Sequence, residues 1–278
     1  MSLALLQQAL AEPRRHVSAF LVLGDPDPTR SVALARAAVA TGSTMLELGL
    51  PFADACADGP AIQAASLRAR TAGTSTSRAI ALLAEVRAAC PDVPLNLLVY
   101  GNLVHRRGYT RFCDEVARAG ASSLLVPDVP HEESDPLRAA CAHAGLGFVP
   151  LVGPHTDRTR LQDLDAASTA FLYLAGLQGV TGATTGQGDR RETTRRVAAS
   201  VSKPVCLGFG LSAPAHIRDA FAAGARIAVV GSHLARAIAH GCVQPDGVEP
   251  HFVAALRPLV AAAHTSPSAS DSDSDPNE

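Results

Sequence analysis

The chain has 278 residues, 47% hydrophobic but only 4% aromatic, with a formal net charge of −2. Its apolar content is mostly Ala, Leu and Val, enough for one large core, so disorder is excluded for the bulk of the chain. The near-neutral charge, without a dense Lys/Arg stripe, excludes a nucleic-acid footprint, and no apolar run approaches the roughly 18 residues that cross a bilayer.

Taken in order, Leu3 to Ala11 reads as a helix laid across the bottom of the fold. Short apolar runs then alternate with amphipathic stretches: VSAFLVLG before a helix from Ala33 to Thr41, and TMLELGL before a helix from about Ala61. An additional helix is predicted over Ser75 to Ala89, and PLNLLVYG precedes a helix near Thr110 to Ala119. SSLLVPDVP, LGFVPLVGP, AFLYLAG, PVCLGFG and RIAVVGS follow, each a buried strand bounded by Gly, Pro or Asp. Parallel strands joined by helices either close into a barrel or form an open doubly wound sheet. About eight units favour the barrel, so the predicted class is α/β, a (βα)8 TIM barrel in one domain over residues 1–264.

Two stretches stand apart. The Gly/Thr-rich segment from Ala175 to Asp189 follows the sixth strand, where a long irregular loop is expected to act as a lid. Residues 265–278 are polar, acidic and aperiodic, and a disordered tail is expected. The basic run RRETTRR, Arg190 to Arg196, reads as a solvated helix face. The six cysteines, Cys56, Cys90, Cys113, Cys141, Cys206 and Cys242, are scattered without metal-ligand spacing, and the N-terminus has no export pattern, so a reduced, cytoplasmic protein is expected.

In a barrel, polar residues that close apolar strands point into the active site. Glu47 in TMLELGLP is such a residue, alternating with Met45 and Gly49; it is either a core carboxylate paired with a base or a desolvated acid/base group. The loop PFADACADGP brings Asp54 and Asp58, each a candidate acid and each also suited to capping the next helix. Glycine turns at Gly179 to Gly182, Gly208 to Gly210, and Gly231 with Ser232 follow the sixth, seventh and eighth strands, the recurrent phosphate position of barrels. GFGLSA also fits a dinucleotide pattern, but no acid follows about 20 residues later to hold a ribose. Of the ten histidines, His155 and His233 lie near strand ends; no metal site is predicted.

Six segments, ELGLPFADACADGPAIQAAS (Glu47 to Ser66), LVYGN (Leu98 to Asn102), PDVP (Pro127 to Pro130), YLAGLQGVTG (Tyr173 to Gly182), GFGLS (Gly208 to Ser212) and VVGS (Val229 to Ser232), resemble tryptophan synthase alpha chains. They run in the family's order, within a match spanning Phe20 to about Ala239. The resemblance implies a lyase of tryptophan biosynthesis that splits indole-3-glycerol phosphate into indole and glyceraldehyde 3-phosphate without a cofactor. Glu47 would shuttle protons at indole C3 and the glycerol hydroxyl, Asp58 would hold the indole N–H, and Tyr173 would support Glu47. Gly182, Gly210, Gly231 and Ser232 would bind phosphate; Phe20, Leu98, Leu125 and Leu151 would form the indole pocket; Thr181 in the lid would meet Asp58 on closure. The implied partner is a tryptophan synthase beta subunit in an α2β2 heterotetramer, contacted by the loop holding Pro51 and Asp54. Ala55 and Cys56 follow Asp54 where the family usually has Pro. A free-standing lyase, a non-catalytic activator of a beta subunit and a generic phosphate-binding barrel isomerase are the competing readings.

Overall fold

The computed structural model describes residues 2–176 and 187–264, so Thr181, Gly182, most of the expected lid and the expected tail lie outside the described residues. In chain order the elements are α1 (Ser2–Ala11), β1 (His16–Val22), α2 (Pro28–Thr41), β2 (Met45–Gly49), α3 (Pro60–Thr71), α4 (Thr76–Ala89), β3 (Leu95–Leu98), α5 (Gly101–Arg107), α6 (Tyr109–Arg118) and β4 (Ser123–Leu125). A short 3-10 turn (His131–Glu133) follows, then α7 (Asp135–Ala144), β5 (Gly147–Phe148), β6 (Leu151–Val152), α8 (Arg158–Ala167), β7 (Leu172–Leu174), α9 (Gln187–Ser200), β8 (Val205–Leu207), α10 (Pro214–Ala222), β9 (Ile227–Val230), α11 (Ser232–Gly241) and α12 (Val248–His264).

Local chemistry sets several boundaries more sharply than periodicity does. α2 starts five residues before the expected Ala33, because Asp27 accepts a hydrogen bond from the Arg30 N–H and Pro28 opens the helix. Ser75 caps α4 in the same way, through the Arg78 N–H. The helix expected near Thr110 to Ala119 is α6, and a further, unexpected helix, α5, precedes it, the two divided at Gly108, whose φ of 84° is positive.

All strand pairings are parallel, in the order β5-β4-β3-β2-β1-β9-β8-β7-β6. The ends of that series, β5 and β6, are halves of one stretch, LGFVPLVGP, expected as a single strand. Pro150 has no N–H to give a ladder, but around it the Val149 N–H reaches the Leu124 carbonyl and the Tyr173 N–H reaches the Pro150 carbonyl. The interrupted strand therefore joins both ends of the sheet, and the barrel closes with eight strand positions. Registers confirm the closure: from Phe20 they lead through Glu47, Asn96 and Ser123 to Gly147, and from His16 through Ile227, Cys206 and Tyr173 to Leu151. Four residues on β1 and four on the split strand give a stagger of eight, the shear of a (βα)8 barrel.

That stagger, one residue per strand, sorts the inward side chains into layers. Phe20, Leu98, Leu151 and Gly208 form the layer nearest the mouth, with Glu47, Leu125, Tyr173 and Val229 beneath it. Ser18, Asn96, Val149 and Cys206 come next, and Met45, Ser123, Phe171 and Ile227 lie below them. The outward residues Val17, Ala19, Leu21, Leu46 and Leu48 pack under the helices in a separate apolar shell. All six cysteines are free thiols, and no helix among the described residues is long and apolar enough to cross a membrane.

Candidate active site

A cavity of about 370 Å³ opens at the carboxyl ends of the strands. Its floor includes Glu47, whose position follows from alternation along β2: Leu46 and Leu48 face the helices, so Glu47 faces inward and is only 2% exposed. The Tyr173 hydroxyl donates to Glu47 Oε1 at 3.0 Å. Burial pushes the Glu47 carboxyl up to about 8, against the lowering effect of that hydrogen bond and with a smaller upward push from the Asp58 charge. Glu47 therefore holds its proton at neutral pH. The alternative of a core salt bridge is set aside, since the hydrogen-bond partner of Glu47 is the phenol of Tyr173 rather than a base.

Asp58 does not cap the helix that follows it: the N-cap of α3 is Gly59, without a side-chain bond. The Asp58 carboxyl instead takes a hydrogen bond from Tyr100, and burial raises it to about 6. Tyr100 is fixed three ways. It is 2% exposed, its ring stacks on Phe52 at 5.3 Å, and its oxygen accepts the Ala57 N–H at 3.1 Å. Gln63 secures the loop from below through the Asp58 and Ala55 carbonyls. Sequence reasoning missed Tyr100; its signal was an aromatic hydroxyl closing the β3 run next to Leu98.

Phe20, Leu98, Leu125 and Leu151 all line the cavity, with Ile62 and Val229, and make the apolar slot that the resemblance implied. At the rim lie Gly210, Ser212, Gly231 and Ser232. Gly231 is the N-cap of α11, so the first N–H groups of that helix lack helical acceptors and suit an anion. Gly208, one layer above Tyr173, leaves room for it: a Cβ there would overlap the Tyr173 ring.

Other expected groups divide. His233 lines the cavity with Arg236, which sequence reasoning also missed, while His155 is exposed and away from it. The basic run is not simply a solvated face: Arg190 donates to the Gly210 carbonyl at 2.8 Å, and Arg196 to the Thr156 and Pro154 carbonyls. Those loop carbonyls offer the guanidinium groups fixed acceptors that water does not. In the loop after β2, Asp54 is exposed but Pro51 is buried, so only Asp54 presents its side chain outward. No cluster of three metal-ligating side chains occurs among the described residues.

Fold and cavity together define a class: a (βα)8-barrel protein with two raised carboxyl groups facing an apolar slot whose rim carries an anion-ready helix start. The comparisons narrow the class. Residues 6–261 match the family model of the tryptophan synthase alpha chain, and the chain belongs to that family. It is 39% identical over 230 residues to the alpha chain of Corynebacterium glutamicum, covering 80% of each. Against the alpha chain of Edwardsiella ictaluri the identity is 39% over 249 residues, covering 87% of this chain and 91% of that one. The solved tryptophan synthase of Mycobacterium tuberculosis superposes with a TM-score of 0.82 at 29% identity, over 95% of this chain and 98% of that one.

Proposed function

We propose that this chain cleaves indole-3-glycerol phosphate to indole and glyceraldehyde 3-phosphate by general acid–base catalysis. The observation that carries the reading is the pair of raised carboxyl groups, Glu47 hydrogen-bonded to Tyr173 and Asp58 to Tyr100, facing one apolar slot. A protonated Glu47 donates to C3 of the indole ring, and the ring nitrogen takes up the positive charge. Asp58, ionised above about pH 6, accepts the N–H hydrogen bond and stabilises that charge. The Glu47 carboxylate then removes the proton of the hydroxyl on the adjacent glycerol carbon. The bond from C3 to that carbon breaks, its electron pair restores the indole, and the carbon leaves as the aldehyde of glyceraldehyde 3-phosphate. Glu47 regains its proton, and no external acid, oxidant or cofactor enters the balance.

Phe20, Leu98, Leu125 and Leu151 hold the flat ring, and Gly182, Gly210, Gly231 and Ser232 bind the phosphate, with Thr181 meeting Asp58 as a lid. Residues 1–264 act as one domain, in a cytoplasmic enzyme. The family relationship supports a tryptophan synthase beta subunit as partner in an α2β2 assembly, with Asp54 on the contacting loop. The test is direct: the purified chain is mixed with indole-3-glycerol phosphate, and indole is followed with and without a beta subunit. Indole release, stimulated by the partner, is expected. Undiminished turnover in Glu47→Gln refutes the acid–base assignment, and high activity without stimulation assigns the chain to free-standing lyases.

A further inference from the structure

Inside the barrel, the layer directly beneath Glu47 contains two polar side chains whose hydrogen bonding is incomplete. Ser18 is fully buried and its hydroxyl has no partner; Asn96 is 4% exposed and its Nδ2 has none. The opposite end of that amide is fixed, since the Ser123 hydroxyl donates to Asn96 Oδ1 at 2.7 Å. Buried donors are nearly always paired, so two orphans in one layer require a physical account.

The registers supply one. Asn96 on β3 is the paired neighbour of Glu47 on β2, and Ser18 on β1 flanks the same strand from the other side, one layer below. Glu47 thus stands above and between the two orphaned groups. The titratable groups facing it are Tyr173, Asp58 across the cavity and the Cys206 thiol. A protonated Glu47 is served by Tyr173 alone. An ionised carboxylate is a pure acceptor with about four lone-pair sites, of which Tyr173 fills one. We propose that Asn96, with Ser18 beside it, is a positioning residue for Glu47, its free N–H bond turning to the carboxylate in the half of the reaction in which Glu47 is ionised. This inference rests on the acid–base role of Glu47 stated above and adds a proton-dependent partner to it.

The variants are Asn96→Leu, which keeps the bulk and removes both N–H donors, and Ser18→Ala, which barely disturbs packing. The full chain is assayed for kcat/KM against pH, and Glu47 is titrated independently through the infrared carboxyl band that is lost in Glu47→Gln. Loss of a donor to the ionised form moves the Glu47 limb and band to higher pH, by about one unit and hence about tenfold in ionisation constant for Asn96→Leu. Ser18→Ala moves it less, and the double variant more than either. The inference is overturned by an unmoved limb and band in both folded variants, or by an equal loss of kcat/KM at every pH. Because the band is read without turnover, undiminished activity in Glu47→Gln would sink the catalytic reading and leave the titration to judge Asn96 separately.

Discussion

Glu47→Gln should stabilise the fold, and increasingly so as the pH rises. Glutamine preserves the shape of the side chain and an acceptor for Tyr173, but it never ionises. In the wild type the carboxyl moves from an ordinary 4.5 to about 8 on folding, because burial penalises the charge more than Tyr173 relieves it. Folding therefore takes up a proton between those values, and stability is greatest below pH 4.5 and declines until about pH 8. Across that interval the loss approaches ~5 kcal/mol at about 1.4 kcal/mol per pH unit, a large share of an ordinary domain's stability. Urea unfolding of both proteins at intervals from pH 5 to pH 9 measures it. Contributions from other titrating groups cancel in the difference, which should grow by about 1.4 kcal/mol per unit and level off near pH 8. Parallel stability curves would refute the reasoning, for they would mean that Glu47 ionises as easily in the barrel as in water. The same substitution should cut indole formation by roughly 10² to 10⁴, the usual contribution of one acid–base group.

Three further outcomes follow from the geometry. Asp58→Asn should lower kcat/KM about 10- to 100-fold, the loss of a charge-assisted hydrogen bond, and should flatten the fall in rate that the wild type shows below about pH 6; initial rates from pH 5 to pH 8 decide it. Gly208→Ala forces a methyl group into the Tyr173 ring, so thermal unfolding should report about 1–3 kcal/mol of overpacking strain, together with a loss of activity as Tyr173 leaves Glu47. Gly210→Ala meets both a φ of 68° and the Arg190 guanidinium 2.6 Å from the new Cβ, so KM for the phosphorylated substrate should rise several-fold, by about 1 kcal/mol, with kcat nearly unchanged; steady-state kinetics separate the two.

Much of this protein was legible before folding, because the relevant forces are local. Alternation of apolar runs and amphipathic stretches gave the strand–helix order, and alternation within MLELG assigned Glu47 to the inner face. Capping by Ser75 and the chain break at Gly108 are likewise written in neighbouring residues, although periodicity alone overlooked the latter. The apolar slot residues were carried by family resemblance, and the folded chain brings all four to one cavity.

What the tertiary structure decided depends on neighbours distant in sequence. Tyr173 reaches Glu47 across 126 residues, and the Tyr100–Asp58 contact joins the start of α5 to a loop whose acid local rules left open between helix capping and chemistry. Parallel strands pair only through crossovers, so neither the register nor the stagger of eight can be read within any one strand. The stagger sets Ser18 and Asn96 in the layer under Glu47 and gives Gly208 its task of making room for Tyr173. The sequence thus determined which residue types face inward; closure of the barrel determined which of them meet, and the water it excludes sets the protonation state in which they work.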